Sequence, residues 1–256
     1  MPQGADVPIA YRLYHWLWAG IDALYPPCCG GCGELGTRWC SRCREMVAPV
    51  SQPVCDRCGD SIEGPGLCIN CQRVLPAYKL LRSYATFEGS IRNILHRLKY
   101  KRDLGLGEIL AEPLSHFFTK LNWPIDMVVP VPLAKNRMKQ RGYNQAFYIA
   151  KPFALYNRLD FQPSVVVRVR ETVSQVGLTA VQRRENMKDA FRIVSQKIKN
   201  KNILIIDDVA TTGSTIDACA NAMLQEGTNE VYALTVARAL IHRDGVTKDE
   251  SNMLAF

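Results

Sequence analysis

The sequence is short of histidine. His15, His96, His116 and His242 are the only four in 256 residues. None stands at a spacing that would make a metal site or a catalytic pair, which argues against histidine-based metal chemistry. Long apolar runs are also missing. The most apolar early stretch, Leu13 to Tyr25 (LYHWLWAGIDALY), contains His15 and Asp22. A bilayer span needs about twenty predominantly apolar residues, so no membrane span is expected. No export signal is legible, and a cytoplasmic location is expected. There is no Gly-Lys-Ser/Thr run, which excludes a Walker-type phosphate loop. A chain 47% hydrophobic and 22% charged does not have a disordered composition.

What is present suffices for one well-buried domain plus a smaller module. Charge is unevenly spread. Residues 1–80 carry seven Lys/Arg and seven Asp/Glu, residues 81–193 nineteen against nine, and residues 194–256 six against eight. The net charge of +8 therefore belongs to the middle of the chain. A solvated surface would account for it, and so would a site for phosphates or nucleic acid. Near the start, Leu13, Trp16, Leu17, Ile21 and Leu24 recur at helical spacing. They predict an amphipathic helix packed on the rest of the protein and ended by Pro26 and Pro27. Attachment to a membrane or a partner is the alternative.

Ten cysteines are present, and eight form four CxxC pairs: Cys29 with Cys32, Cys40 with Cys43, Cys55 with Cys58, and Cys68 with Cys71. A two-residue gap lets both thiolates of a knuckle face one ion, and two knuckles complete a tetrahedral site that suits zinc. A disulfide framework would need an oxidising compartment, and four pairs so close together are not a thioredoxin pattern. Eight ligands allow one or two structural zinc ions, with sequential or interleaved pairing both open. Cys28 could compete with Cys29, which makes the standard gap. Cys219 lies on a helix face and reads as core.

The stretch Ile203 to Thr215, ILIIDDVATTGST, raises a question of chemistry. Ile203 to Ile206 reads as a parallel strand buried on both faces. Ile216, Cys219, Ala220, Met223 and Leu224 mark one face of a helix closed by Gly227, and Val231 to Val236 reads as the next strand. This is a βαβ unit. It puts Ala210, Thr211, Thr212, Gly213, Ser214 and Thr215 between a strand's C-terminal end and a helix N-terminus, where open α/β sheets bind ligands and where N–H groups favour a phosphate. The adjacent carboxylates of Asp207 and Asp208 then suit the hydroxyls of a phosphorylated sugar, with Mg²⁺ relieving their repulsion. An Asx turn would explain one Asp, but not two followed by four hydroxyls.

IIDDVATTGST resembles the phosphoribosyl pyrophosphate (PRPP) signature of type I phosphoribosyltransferases. VVPVPLAKNRMKQRGYNQA (Val128 to Ala146), RETVSQVGLTAVQRRENMKDAF (Arg170 to Phe191), and a cysteine-rich region ahead of LHRLKYK (Leu95 to Lys101) resemble, in the same order, the ComF/GntX family of competence and DNA-utilisation proteins. The resemblance implies an α/β phosphoribosyltransferase-like core with a mostly parallel central sheet, plus a small N-terminal Cys-rich zinc module. The expected organisation is an N-terminal amphipathic helix over 1–27, the zinc module over 28–75, the phosphoribosyltransferase-like domain over 76–245 and a polar tail over 246–256. The resemblance assigns Asp207 and Asp208 to the ribose hydroxyls and Ala210 to Thr215 to the 5′-phosphate. Pro132 and Leu133 fall in the pyrophosphate loop, and Arg170 to Asp189 in a closing loop that offers Thr179, Arg183, Arg184 and Lys188. Arg141 and Lys188 join the two aspartates as candidate catalytic residues. A glutamine-hydrolysing activity is not expected, because Pro2 follows Met1 where a nucleophilic cysteine would be needed.

Two basic segments with aromatics remain. Arg137, Lys139 and Arg141 run through an expected loop, followed by Tyr143, Asn144 and Gln145 at a helix start. Lys99, Tyr100 and Lys101 form the other. Each could grip single-stranded DNA, hold an acceptor, or be a solvated surface. The resemblance implies DNA uptake and competence proteins as partners. Two functions therefore stand side by side: a Mg²⁺- and PRPP-dependent transferase of unspecified acceptor, and a single-stranded DNA-handling protein that uses the pocket for regulation or not at all.

Overall fold

Ile203, Leu204, Ile205 and Ile206 are all fully buried. Ile203 and Ile205 face one core, while Leu204 and Ile206 face the other. An apolar run without polar alternation requires cover on both sides, and the rest of the fold supplies it. The computed structural model describes residues 7–170 and 190–239. Helix α1 (Ile9–Leu24) precedes the short α2 (Ser41–Glu45) and α3 (Ile69–Arg73) of the Cys-rich segment. Strand β1 (Leu80–Thr86), helices α4 (Gly89–Tyr100), α5 (Gly105–Ile109) and α6 (Ala111–Thr119), and β2 (Met127–Pro130) follow. Next come α7 (Lys135–Arg141), α8 (Gln145–Asn157), β3 (Asp160–Phe161) and β4 (Val166–Arg168). The described order closes with β5 (Phe191–Ile193), β6 (Asn202–Ala210), α9 (Ser214–Gln225) and β7 (Glu230–Arg238).

Five strands form one sheet in the order β1-β7-β6-β2-β3, and every neighbouring pair is parallel. Strands β4 and β5 make a separate antiparallel pair. The expected βαβ unit is β6-α9-β7. Ile216, Cys219, Ala220 and Met223 face the core, Leu224 is half-buried, and Gly227 follows the helix at φ +89°. One sheet face carries Val128, Leu204, Ile206 and Leu234 under Ile94, Leu98, Leu106, Leu114, Ile149 and Phe153 from α4, α5, α6 and α8. The other carries Met127, Val129, Ile203 and Ile205 under α9 and the β4-β5 pair.

The Cys-rich segment lies along the β1 edge of the sheet. Cys29, Trp39 and Cys43 belong to the first core, while Cys55, Cys58 and Cys71 belong to the second. Between them, Arg57 O accepts from Leu81 N at 2.9 Å and Ala48 O accepts from Thr86 N at 2.9 Å. These bonds occupy donors on the edge strand β1 that would otherwise invite another chain.

Two expectations are corrected. The apolar stripe of α1 does not pack: Trp16 is 62% and Leu24 78% exposed, and Leu13 and Leu17 also face outward. The polar face packs instead, because the buried carboxylate of Glu108 needs partners. Tyr11 Oη donates to Glu108 Oε1 at 3.0 Å, and His15 Nδ1 lies 2.9 Å from the same oxygen. Asp22 pairs with Arg38 at the other end of the helix. Residues Lys135 to Arg141 are helical rather than a loop, with Gly142 at φ +81° ending the helix. Among the described residues, no helix is long and apolar enough to cross a membrane.

Candidate functional site

The eight CxxC cysteines gather into two quartets. The sulfurs of Cys29, Cys32, Cys40 and Cys43 lie within 4.8 Å of one another, as do those of Cys55, Cys58, Cys68 and Cys71. Pairing is sequential, and Cys28 stands outside the first quartet. Measured separations are 3.6 Å for Cys29–Cys40, 3.8 Å for Cys32–Cys40 and 3.6 Å for Cys58–Cys68. A tetrahedral zinc with Zn–S of about 2.3 Å sets its sulfurs about 3.8 Å apart, so both quartets fit a structural zinc ion. None of the eight is joined in a disulfide. Knuckle N–H groups point at sulfur: Cys40 N to Cys29 Sγ at 3.4 Å, and Cys68 N to Cys55 Sγ at 3.3 Å. Burial opposes the Cys29 thiolate, but N–H groups of Cys40, Cys32 and Gly31 outweigh it and bring the thiol down to about 6.

The carboxylate pair lies inside β6, which runs on to Ala210, so the loop proper is only Thr211 to Gly213. Asp208 is buried and Asp207 half-buried. Asp208 Oδ1 accepts from Gln145 Nε2 at 3.4 Å, and Oδ2 is ion-paired with the ammonium of Lys99. Asp207 Oδ1 accepts from the Asp208 N–H at 2.9 Å. Burial raises the Asp207 carboxyl, and the neighbouring Asp208 charge holds it well above the usual carboxylate range. Burial also acts against Asp208, but Lys99, with bonds from Asp207 and Gln145, outweighs it and holds that carboxyl low. Asp208 is thus the anion of the pair, and Asp207 keeps its proton longest.

Gly213 at φ +76° turns the chain into α9. Thr212 Oγ1 and Ser214 Oγ are 2.7 Å apart, and Ser214 N donates to Thr212 Oγ1 at 3.4 Å. Ala210 and Ser214 are buried, whereas Thr211, Thr212 and Thr215 are half-buried. The loop after β2 opens beside this one, since Pro130 pairs in register with Ile206 and Val131 N donates to Ile206 O at 2.9 Å. Pro132 and Leu133 follow there, half-buried. Asn144 Nδ2 donates to Val131 O at 2.9 Å, while Asn144 Oδ1 caps α8 through Ala146 N at 3.0 Å. The helix start expected near Asn144 is where α8 begins.

The two basic segments converge here. Arg141 stacks over the Tyr100 ring at 5.3 Å and donates to Gln145 Oε1, and Gln145 in turn binds Asp208. Lys99 and Gln145 are thus partners of the carboxylate pair, a role their sequence context did not signal. Tyr143 is buried and its hydroxyl donates to Leu98 O, so its ring offers no face for stacking a base. Tyr100, Lys101, Arg137 and Lys139 are exposed. Lys188, with Thr179, Arg183 and Arg184, lies outside the described residues.

Comparison with known proteins agrees with the two cysteine quartets. A family model described as a double zinc ribbon domain matches residues 20–72. The DNA utilization protein YhgH of Salmonella typhimurium is 31% identical over 208 residues, covering 78% of this chain and 90% of the relative. Competence protein F of Haemophilus influenzae is 28% identical over 209 residues, with the same coverages of 78% and 90%. Competence protein ComFC of Bacillus subtilis is 26% identical over 204 residues, covering 73% of this chain and 78% of the relative. Among solved structures, an adenine phosphoribosyltransferase from Thermoanaerobacter pseudethanolicus aligns at 17% identity and TM-score 0.35, over 59% of this chain and 87% of that one. The allosteric regulatory enzyme of purine biosynthesis aligns at 16% identity and TM-score 0.36, over 57% of this chain but only 28% of that one. Those two likenesses are too distant to bear on function. By its sequence relatives, this chain belongs to the ComF/GntX family of competence and DNA-utilisation proteins.

Proposed function

We propose that the chain binds PRPP with Mg²⁺ at the C-terminal ends of β2 and β6 and works in DNA uptake or utilisation as a phosphoribosyltransferase. The supporting observation is the carboxylate pair Asp207–Asp208, set two residues before a hydroxyl-lined turn into a twelve-residue helix. Ribose hydroxyls donate to the two carboxylates. The first N–H groups of α9 and the hydroxyls of Thr211, Thr212, Ser214 and Thr215 receive the 5′-phosphate. Pro132 and Leu133 flank the pyrophosphate. As the acceptor forms its bond to the anomeric carbon and the bond from that carbon to the pyrophosphate oxygen breaks, positive charge from Arg141 and Lys188 stabilises the departing pyrophosphate. Carboxylate oxygens suit a hard cation, so Asp207 and Asp208 would hold Mg²⁺, which supplies charge neutralisation when bound. The test is calorimetric titration of PRPP and Mg²⁺ into the zinc-loaded protein, beside a variant carrying Asp207→Asn and Asp208→Asn. Binding lost in a folded variant supports the site, and no binding to the wild type overturns it.

A second reading rests on the exposed Tyr100 with Arg141 over its ring, with the exposed Lys101 next to it in sequence and the exposed Arg137 and Lys139 on the helix that carries Arg141. Cation and aromatic together suit single-stranded DNA. Single-strand affinity should then fall with log salt at a slope of about −0.7 per phosphate contacted, and Tyr100→Ala should weaken it. A salt-independent affinity, or none, removes this reading.

A further inference from the structure

The second cysteine quartet is braced against the turn that opens α9. Arg57, between Cys55 and Cys58, donates Nη2 to Pro76 O at 3.0 Å, while its own carbonyl accepts from Leu81 N. The next residue, Ala77, donates its N–H to Asp217 Oδ1 at 2.6 Å, in the first turn of α9. Tyr78 follows, 2% exposed. Its hydroxyl lies so close to Gly213 that a Cβ there would sit 3.0 Å away. The segment Pro76 to Tyr78 thus joins the Cys55–Cys58 knuckle to the turn that opens α9.

A second strut comes from β7. Arg238 is 2% exposed. It donates Nη1 to Cys58 O at 2.9 Å, brings Nη2 to 3.9 Å from Cys58 Sγ, and has Nε 3.3 Å from Asp60 Oδ1. It is also the register partner of Ala210, the last β6 residue before the loop. Four thiolates around one zinc carry a net charge of about −2, and a buried guanidinium beside them offsets part of it. The first quartet is tied elsewhere. Ser90 Oγ donates to Cys43 O at 2.7 Å and Asn93 Nδ2 to Gly31 O at 2.8 Å, both from α4.

We propose that zinc in the quartet Cys55, Cys58, Cys68 and Cys71 and phosphate-ester binding at the start of α9 are linked, each strengthening the other, while the first quartet stands outside the linkage. Asp217, Tyr78 and Arg238 are positioning residues: they carry the arrangement of the knuckle to the loop without touching the ligand. Linkage is reciprocal, so PRPP must raise zinc retention at this quartet by the factor by which zinc raises PRPP affinity. The proposal rests on the PRPP reading of the loop.

The experiment uses the full zinc-loaded chain and follows alkylation of each cysteine by mass spectrometry, with and without PRPP and Mg²⁺, while calorimetry on the same sample reports binding. Protection of Cys55, Cys58, Cys68 and Cys71 by about fivefold or more, the lower end of common coupling factors, is expected. Cys29, Cys32, Cys40 and Cys43 should change less than about twofold. Equal protection of both quartets, or none despite measured binding, overturns the linkage. If calorimetry finds no binding, the PRPP reading fails by itself, and hydrogen exchange decides the structural half. Loss of zinc from the second quartet should speed exchange at Ala77 and Thr212 to Asp217 ahead of α4, and unchanged or uniform exchange overturns the proposal.

Discussion

The ammonium of Lys99, in the last turn of α4, is ion-paired with the buried carboxylate of Asp208 on β6. A cation from the basic middle of the chain thereby offsets the charge of the more acidic carboxylate of the pair. Lys99→Met would leave Asp208 buried without its counter-charge, which costs about 2–4 kcal/mol once the partial exposure of Lys99 is allowed for. Urea unfolding measures this. The double variant with Asp208→Asn should recover part of the loss, and strict additivity of the two changes would deny the pair its role.

The pH dependence of stability follows from the two shifts, which oppose each other. Asp208, held low, contributes stability that is present above the unfolded carboxylate value and is lost as pH falls through its lower folded value. Asp207, held high, binds its proton more tightly folded than unfolded. Stability therefore declines as pH rises from the ordinary carboxylate value to its raised one. Asp207→Asn should abolish that decline and raise stability above it. A wild-type and variant pair with parallel stability curves would contradict the assignment.

Ligand binding should show the same proton. Two ionised carboxylates accept ribose hydroxyls and suit Mg²⁺ better than one acid and one anion. PRPP affinity should increase as pH rises through the raised Asp207 value. Calorimetry in buffers of different ionisation enthalpy should report proton release on binding. Binding without proton release at a pH below that value would show that Asp207 stays protonated in the complex.

Gly213→Ala tests the loop itself. The residue sits at φ +76°, and a Cβ would lie 3.0 Å from the Tyr78 hydroxyl. The backbone strain alone costs about 1 kcal/mol, and the close contact adds to it. A lower melting temperature and at least tenfold weaker PRPP binding are expected. Adding Tyr78→Phe should relieve the contact but not the strain, so only part of the stability returns.

Local pattern carried much of this structure. Ile203 to Ile206 announced a doubly buried strand, the spacing from Ile216 to Met223 a helix, and the CxxC gaps four metal-binding knuckles, because each signal lies within a few residues; which knuckles share an ion is not local, and the sequence leaves it open. What stayed hidden depends on contacts between distant segments. Lys99 reads only as a positive charge until α4 is laid against β6. Tyr143 reads as an exposed aromatic until its hydroxyl reaches Leu98 O. The stripe of α1 was legible, but its orientation was not, since the buried Glu108 that draws Tyr11 and His15 inward lies in another helix.

Zinc content separates the quartets. Each fits one ion, so elemental analysis of the purified chain should give two zinc per protein, and Cys43→Ser or Cys58→Ser should lower it to one. Both variants should also lose stability, because Cys43 lies in the core beneath α4 and Cys58 in the core beneath α9, and metal binding at such sites is folding free energy. The two losses need not be alike in their effect on the sheet. With Cys43→Ser, exchange should rise first at Ser90 and Ile91, near the Ser90 bond to Cys43 O. With Cys58→Ser, it should rise first near Arg238 and Ala239, whose backbone borders Ala210. Identical exchange patterns in the two variants would mean that the quartets act as one unit rather than as separate braces on opposite faces of the sheet.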